Sequence, residues 1–262
     1  MVRKPAGVVG TRYTQRDLFA VRAVSGRLVR VLHELVRAVR PGVTGDDLNA
    51  YALHLLREHG LESAVKGYGE FPAALAVSPN AVAAHGVPGP EPLLDGSIVS
   101  LDLGVVRNGW HADAAVTVPV GRVSRARASL IQAAYACSYA GIRAVRAGCD
   151  ITELGDAVQA EARRRGVRVV SVCGGHGVGR SLHESPHYRY EGMPEGLFLK
   201  PGNIITVEPV VVAGSGAVRP GPDGHALLTV DGQDAAQFEH TVYVSESGPV
   251  ILTEAGHVHS GN

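Results

Sequence analysis

Leu101, Leu103 and Val105 recur at alternate positions with Asp102 and Gly104 between them, the pattern of a β-strand with one buried face. The run continues into Arg107-Asn108-Gly109-Trp110, and Asn-Gly between two β-rich segments predicts a two-residue type I′ hairpin. That turn fixes the register: Val106 opposes His111, Gly104 opposes Asp113, and Asp102 opposes Ala115. Asp102 and Asp113 then share one face as diagonal neighbours, about 7 to 8 Å apart between backbones. Residues 36–61 read differently, as the end of one helix, a glycine stop, and a second helix. Thr44 as N-cap with Asp47 three positions on starts that second helix, and Gly60 ends it.

This helical pattern occurs twice. Residues 36–61 align without gaps onto 142–167 at an offset of 106, with eight identities in 26 positions, among them Arg37/Arg143, Gly42/Gly148, Leu48/Leu154 and Gly60/Gly166. Asp150 with Glu153 repeats the N-terminal signal, and Gly166 repeats the stop. The same offset carries Gly96–Asp102 onto Gly202–Glu208, two β-rich strands ending in a carboxylate. Each half also carries His-Gly-Val, at His85 and His176, and a second strand, Ala112–Val116 or Phe238–Val242, with an acid at Asp113 or Glu239. Similar helix pairs recur in unrelated proteins, but that does not explain a carboxylate at the equivalent strand position. A duplicated unit of two helices and a hairpin predicts two α/β halves related by a pseudo-twofold axis, with strands in a shared sheet and helices outside.

Composition narrows the function. A chain of 262 residues can bury a substantial core, and 25 Lys and Arg against 25 Asp and Glu give no bulk electrostatic case for nucleic acid or an anionic membrane. Cys137, Cys149 and Cys173 suit no disulfide framework or cysteine zinc site and read as small core residues in a reducing compartment. The start, Met1 to Gly10, makes no secretory signal, and no apolar run is long enough for a bilayer. The expected location is the cytoplasm.

An acid facing inward from a strand is costly unless paired or metal-bound. Four recur at equivalent places, Asp102, Asp113, Glu208 and Glu239, and no basic residue recurs beside them. Converging carboxylates with a histidine suit hard or borderline divalent cations. His176, among glycines in Gly174–Gly179, is the natural fifth ligand, and His183 follows seven residues later. The glycine-rich run carries a histidine where a dinucleotide phosphate would lie and lacks a following acidic ribose partner. His33, His54 and His59 on helices, with His257 and His259 in the tail, read as surface residues. The helix dipole accounts for Arg163, Arg164 and Arg165, with a transient ribosome contact as the second reading.

Gly-His-Gly-Val-Gly, Leu-His-Glu-x-Pro, Thr-Val-Glu-Pro and Gln-Phe-Glu-His-Thr, with His85, Asp102 and Asp113, resemble the type I methionine aminopeptidases of the pita-bread fold from about Gln15 to Leu252. The resemblance implies an α/β (α+β) fold of two pseudo-twofold halves, and two divalent cations per chain, cobalt, manganese, iron or zinc. Asp113 and Glu239 would bridge them, Asp102 holding one and His176 and Glu208 the other. Glu208 would also move the proton, His183 would stabilise the tetrahedral intermediate, and His85 would bind substrate near the scissile amide. Tyr68 and Phe71 fit the methionine pocket. Leu182 stands where a phenylalanine is common and His225 where a tryptophan is usual, so weaker methionine selection is expected.

The expected organisation is an N-terminal extension over 1–14, a single catalytic domain over 15–252 with halves of about 15–120 and 121–252, and a C-terminal tail over 253–262. The expected enzyme is a monomer that acts on N-termini of nascent proteins and peptides. Two other readings stay open: a related aminopeptidase of relaxed or Xaa-Pro specificity, and a non-catalytic binding module. The filled ligand positions disfavour the module.

Overall fold

A computed structural model describes Gly7–Val8 and residues 10–254. Met1–Ala6, Val9, His257 and His259, for which expectations are stated above, lie outside the described residues. Four helices frame the chain: α1 Gln15–Ala38, α2 Gly45–Glu58, α3 Arg125–Ala144 and α4 Ile151–Arg165. The second helix of each half starts as expected. Thr44 accepts from the Asp47 N–H while the Asp47 carboxylate accepts from the Thr44 N–H, and Asp150 and Glu153 repeat the arrangement. Gly166 closes α4 in the left-handed conformation, and Gly60, at φ 61°, follows the end of α2. The buried face of α1, with Val21, Val24, Leu28, Val31 and Leu35, has helical spacing. No described helix is long and apolar enough to cross a membrane.

The hairpin has the expected register. Ile98–Arg107 pairs antiparallel with Trp110–Pro119, with Val106 opposite His111, Gly104 opposite Asp113 and Asp102 opposite Ala115. Leu101, Leu103 and Val105 are fully buried in the core shared with α1 and α2. In the second half a five-stranded antiparallel sheet runs Gly248–Ile251, His240–Ser245, Ile204–Val207, Gly174–Gly177, Glu184–Arg189. Its other face packs in a second core with α3 and α4.

The expected strand through Glu239 is broken. Ala235–Gln237 pairs with Val210–Val212, His240–Ser245 pairs with Ile204–Val207, and Glu239 falls between. The reason lies across the pseudo-twofold: the Glu239 N–H donates to the Ala115 carbonyl at 2.9 Å. Threonine hydroxyls complete this seam. Thr241 Oγ1 accepts from the Asp113 N–H (3.1 Å) and donates to its C=O (2.8 Å), and Thr117 Oγ1 does the same for Gln237 at 2.7 and 2.8 Å. Two smaller expectations change as well. His59 is half-buried against Glu34 at 3.2 Å rather than free on the surface. Cys137 and Cys149 are core residues as expected, but Cys173 lines a cavity.

Candidate metal centre and active site

The seam holds the acids. Asp113 and Glu239 are buried, and Asp113 Oδ1 and both Glu239 oxygens have no hydrogen-bond partner among the described residues. One ligand atom from each of Asp113, His176 and Glu239 lies within 4.8 Å of the others. His176 arrives on Gly174–Gly177, where a Cβ at Gly175 would run into the Tyr188 ring and the Thr206 carbonyl; only glycine allows that approach. His176 Nδ1 lies 2.9 Å from the Gly177 carbonyl, which assigns it the proton and leaves Nε2 as an acceptor. Nε2 faces Glu208 Oε1 at 3.3 Å and Asp113 Oδ2 at 4.0 Å.

Without a cation the cluster is electrostatically poor. Burial, then Asp102 and Glu208, raises the Asp113 carboxyl well above its ordinary value. Burial, then Asp113, Glu208 and Asp102, does the same to Glu239. Burial lifts Asp102 to about 6; burial, opposed by the Thr206 hydroxyl and aided by Asp102, lifts Glu208 to about 8. Burial, then neighbouring His183, lowers His176 to about 3. A neutral imidazole among orphaned carboxylate oxygens is a donor set that fits divalent cations. Three of the five expected ligands, Asp113, His176 and Glu239, therefore meet, with Glu208 beside His176.

A cavity of about 430 Å³ opens over them, walled by His85, His176, His183, Glu208, Cys173 and Met193. His85 is held at φ 54°, and the cavity walls, then His225, lower its pKa. His183 packs on His176 (ring centroids 4.0 Å) and on Tyr68 (4.8 Å); burial, then His187 and His85, lowers it to about 4. Phe71 meets the His225 ring edge-on at 5.5 Å. Leu182 is buried over Gly104, where a Cβ would meet Leu182 Cδ1 at 2.9 Å and Asp113 Oδ1 at 3.3 Å. Tyr68 and His225 remain partly open to solvent. The sequence reading missed Cys173 and Met193 as cavity walls, and Thr206 beside Glu208; the last sits one alternation before the acid, on its face of the strand.

The profile of Metallopeptidase family M24 matches residues 20–246. The chain belongs to this family. An M24 relative, methionine aminopeptidase 1 of Bacillus subtilis, is 37% identical over 242 residues, covering 92% of this chain and 97% of its own. The crystal structure of methionine aminopeptidase from Rickettsia prowazekii superposes with a TM-score of 0.91 at 34% identity over 94% of this chain and all of that one. Prolidase from Pyrococcus furiosus shares the fold at 18% identity, TM-score 0.74, with 66% of its length covered. The M24 chain thus has the pita-bread architecture of two α/β halves that its duplication implies.

Proposed function

We propose that this M24 chain is a hydrolase that removes the N-terminal methionine from nascent proteins and peptides. The observation that carries the reading is the set of orphaned Asp113 and Glu239 oxygens beside His176, which walls a cavity with His85, His183, His187 and Glu208. Asp113 and Glu239 would bridge two divalent cations, Asp102 holding one and His176 and Glu208 the other. Cations held there would supply Lewis acidity toward a scissile carbonyl and an attacking water.

The chain's own groups do the rest. Glu208 Oε1 is engaged by Thr206 at 2.6 Å, so Oε2 is the oxygen that takes the proton of the attacking water and passes it to the leaving amine. Burial keeps His183 on the neutral side and its Nδ1 has no partner among the described residues, so Nε2 is the nitrogen turned to the developing oxyanion. His85 binds the scissile amide. Tyr68, Phe71, Leu182 and His225 line the pocket for the first side chain, and the substrate amine lies at the Asp102 end, which limits removal to one residue. Val172 and Met193 also line the cavity.

We place the enzyme in the cytoplasm as a monomer. The three free thiols agree with a reducing compartment. The test is a peptide panel with cobalt- or manganese-loaded protein: Met-Ala-Ser against Leu-Ala-Ser, Ala-Ala-Ser and a Xaa-Pro peptide. Hydrolysis of Met-Ala-Ser ahead of the others supports the proposal. Turnover confined to the Xaa-Pro peptide overturns the methionine assignment, and no turnover of any overturns the enzyme.

A further inference from the structure

Thr206 sits between two of the expected ligands, His176 and Glu208, without being one itself. It is fully buried on Ile204–Val207, between the strand that carries His176 and the acid that ends its own strand. Its Oγ1 accepts from the His176 N–H at 3.0 Å. The hydroxyl has one proton to give and two acceptors in reach: Glu208 Oε1 at 2.6 Å and the His176 carbonyl at 3.4 Å. The 2.6 Å contact is much the shorter and stronger, so the proton points to Glu208.

The surrounding main chain is fixed independently. The Tyr188 hydroxyl donates to the Thr206 carbonyl at 2.5 Å, and the Glu208 N–H donates to the Tyr190 hydroxyl at 2.6 Å. Both tyrosines are buried. With the backbone held this way, the hydroxyl is left to set the distance between the His176 main chain and the Glu208 side chain.

We propose that Thr206 is a positioning residue of the metal centre, fixing His176 and Glu208 together and holding Glu208 Oε1 beside His176 Nε2. This rests on the ligand assignment proposed above. Outer groups that orient ligands typically change metal affinity 10- to 100-fold when removed.

The test compares Thr206→Val, which keeps the branched shape and loses the hydroxyl, with Thr206→Ser, which keeps the hydroxyl. Chelator-stripped full chain is titrated with cobalt(II) by calorimetry, the cobalt absorption bands are recorded, and the thermal midpoint of the stripped protein is measured. Thr206→Val should weaken the cation held by His176 and Glu208 by about 10- to 100-fold and shift the cobalt bands, with the stripped midpoint within a few degrees. Thr206→Ser should bind within about threefold of the unaltered chain. Unchanged cobalt binding in Thr206→Val, or equal weakening in Thr206→Ser, overturns the proposal. Thr206→Ala makes the same comparison should the valine chain fail to fold. His176→Ala, titrated alongside, separates the two readings. If it binds cobalt like the unaltered chain, the ligand assignment fails. If it loses a cation while Thr206→Val does not, only the role of Thr206 fails.

Discussion

Both Glu239 oxygens and Asp113 Oδ1 are buried where no described donor reaches them, so each is a site whose chemistry a cation must complete. Asp113→Ala or Glu239→Ala should remove a ligand from two cations at once. Metal analysis should then show neither retained in stoichiometric amount, with kcat/KM down by about 10³-fold or more and the circular dichroism of the folded chain intact. Normal turnover in either variant would contradict the bridging roles. The two histidines should separate: His176→Ala should lose metal, whereas His183→Ala should keep it and lose about 10²- to 10³-fold in kcat. Equal metal loss in both would reverse the assignment. In the pocket, the His225 ring packs edge-on to Phe71 and Leu182 sits over Gly104. Thioether–aromatic contacts are worth about 0.3 to 1.5 kcal/mol, so His225→Trp with Leu182→Phe should raise kcat/KM for Met-Ala-Ser about two- to tenfold over Leu-Ala-Ser. A ratio unchanged across that pair of peptides would sink the pocket reading. The four carboxylates, His85 and His176 were readable in the chain because each repeats in the other half, whereas His183 was readable only through the resemblance of Leu-His-Glu-x-Pro. Cys173 was not: a lone cysteine carries no repeat, and its place on the cavity wall depends on the packing of Gly174–Gly177.

At the scale of elements, the helix starts are local events. Thr44 and Asp47 exchange bonds of 3.0 Å in both directions at the head of α2. Thr44→Ala removes one side of that exchange and should cost about 1 kcal/mol, read as a lower urea midpoint with kcat/KM unchanged. A loss of activity at equal stability would mean that the head of α2 communicates with the site. Such features could be seen in the chain because cap, stop and Asn-Gly turn each act within four or five residues. The hairpin register of Asp102 and Asp113 is the clearest case, set by Asn108-Gly109 alone. The break at Glu239 was invisible for the opposite reason. Its strand looks continuous, but Glu239 bonds to Ala115 in the other half and the chain changes partner strands there; nothing local signals a contact 124 residues away.

On the scale of the whole molecule, the two halves meet along hydroxyl bonds of Thr241 and Thr117, and the converging carboxylates sit in that same seam. Metal-free protein can hold them together only by keeping protons. Glu208 moves from an ordinary 4.5 to about 8, Asp102 from 3.8 to about 6, and Asp113 and Glu239 are raised well above their ordinary values. A group raised on folding stabilises fully below its unfolded value and loses that contribution as pH climbs through the folded one, because the native state binds the extra proton. Below pH 6.5 the histidines oppose this trend. His176 and His183, lowered to about 3 and 4, favour the fold above their unfolded value and lose that support on acidification. From pH 7 to 8.5 the histidines contribute little slope, and the raised carboxyls govern it, with a smaller share in the same direction from the buried thiols Cys137 and Cys173. In chelator the thermal midpoint should therefore fall across that window, by roughly 3 to 8 °C for a chain of this size. Cobalt or manganese replaces the protons with a cation that binds only the native state, so the midpoint gained on adding metal should grow with pH. In Glu239→Gln, where one carboxylate is already neutral, the fall in chelator should be smaller. A midpoint in chelator that stays flat or rises from pH 7 to 8.5, with a metal-induced gain that does not change, would show that these carboxyls do not hold protons in the native seam.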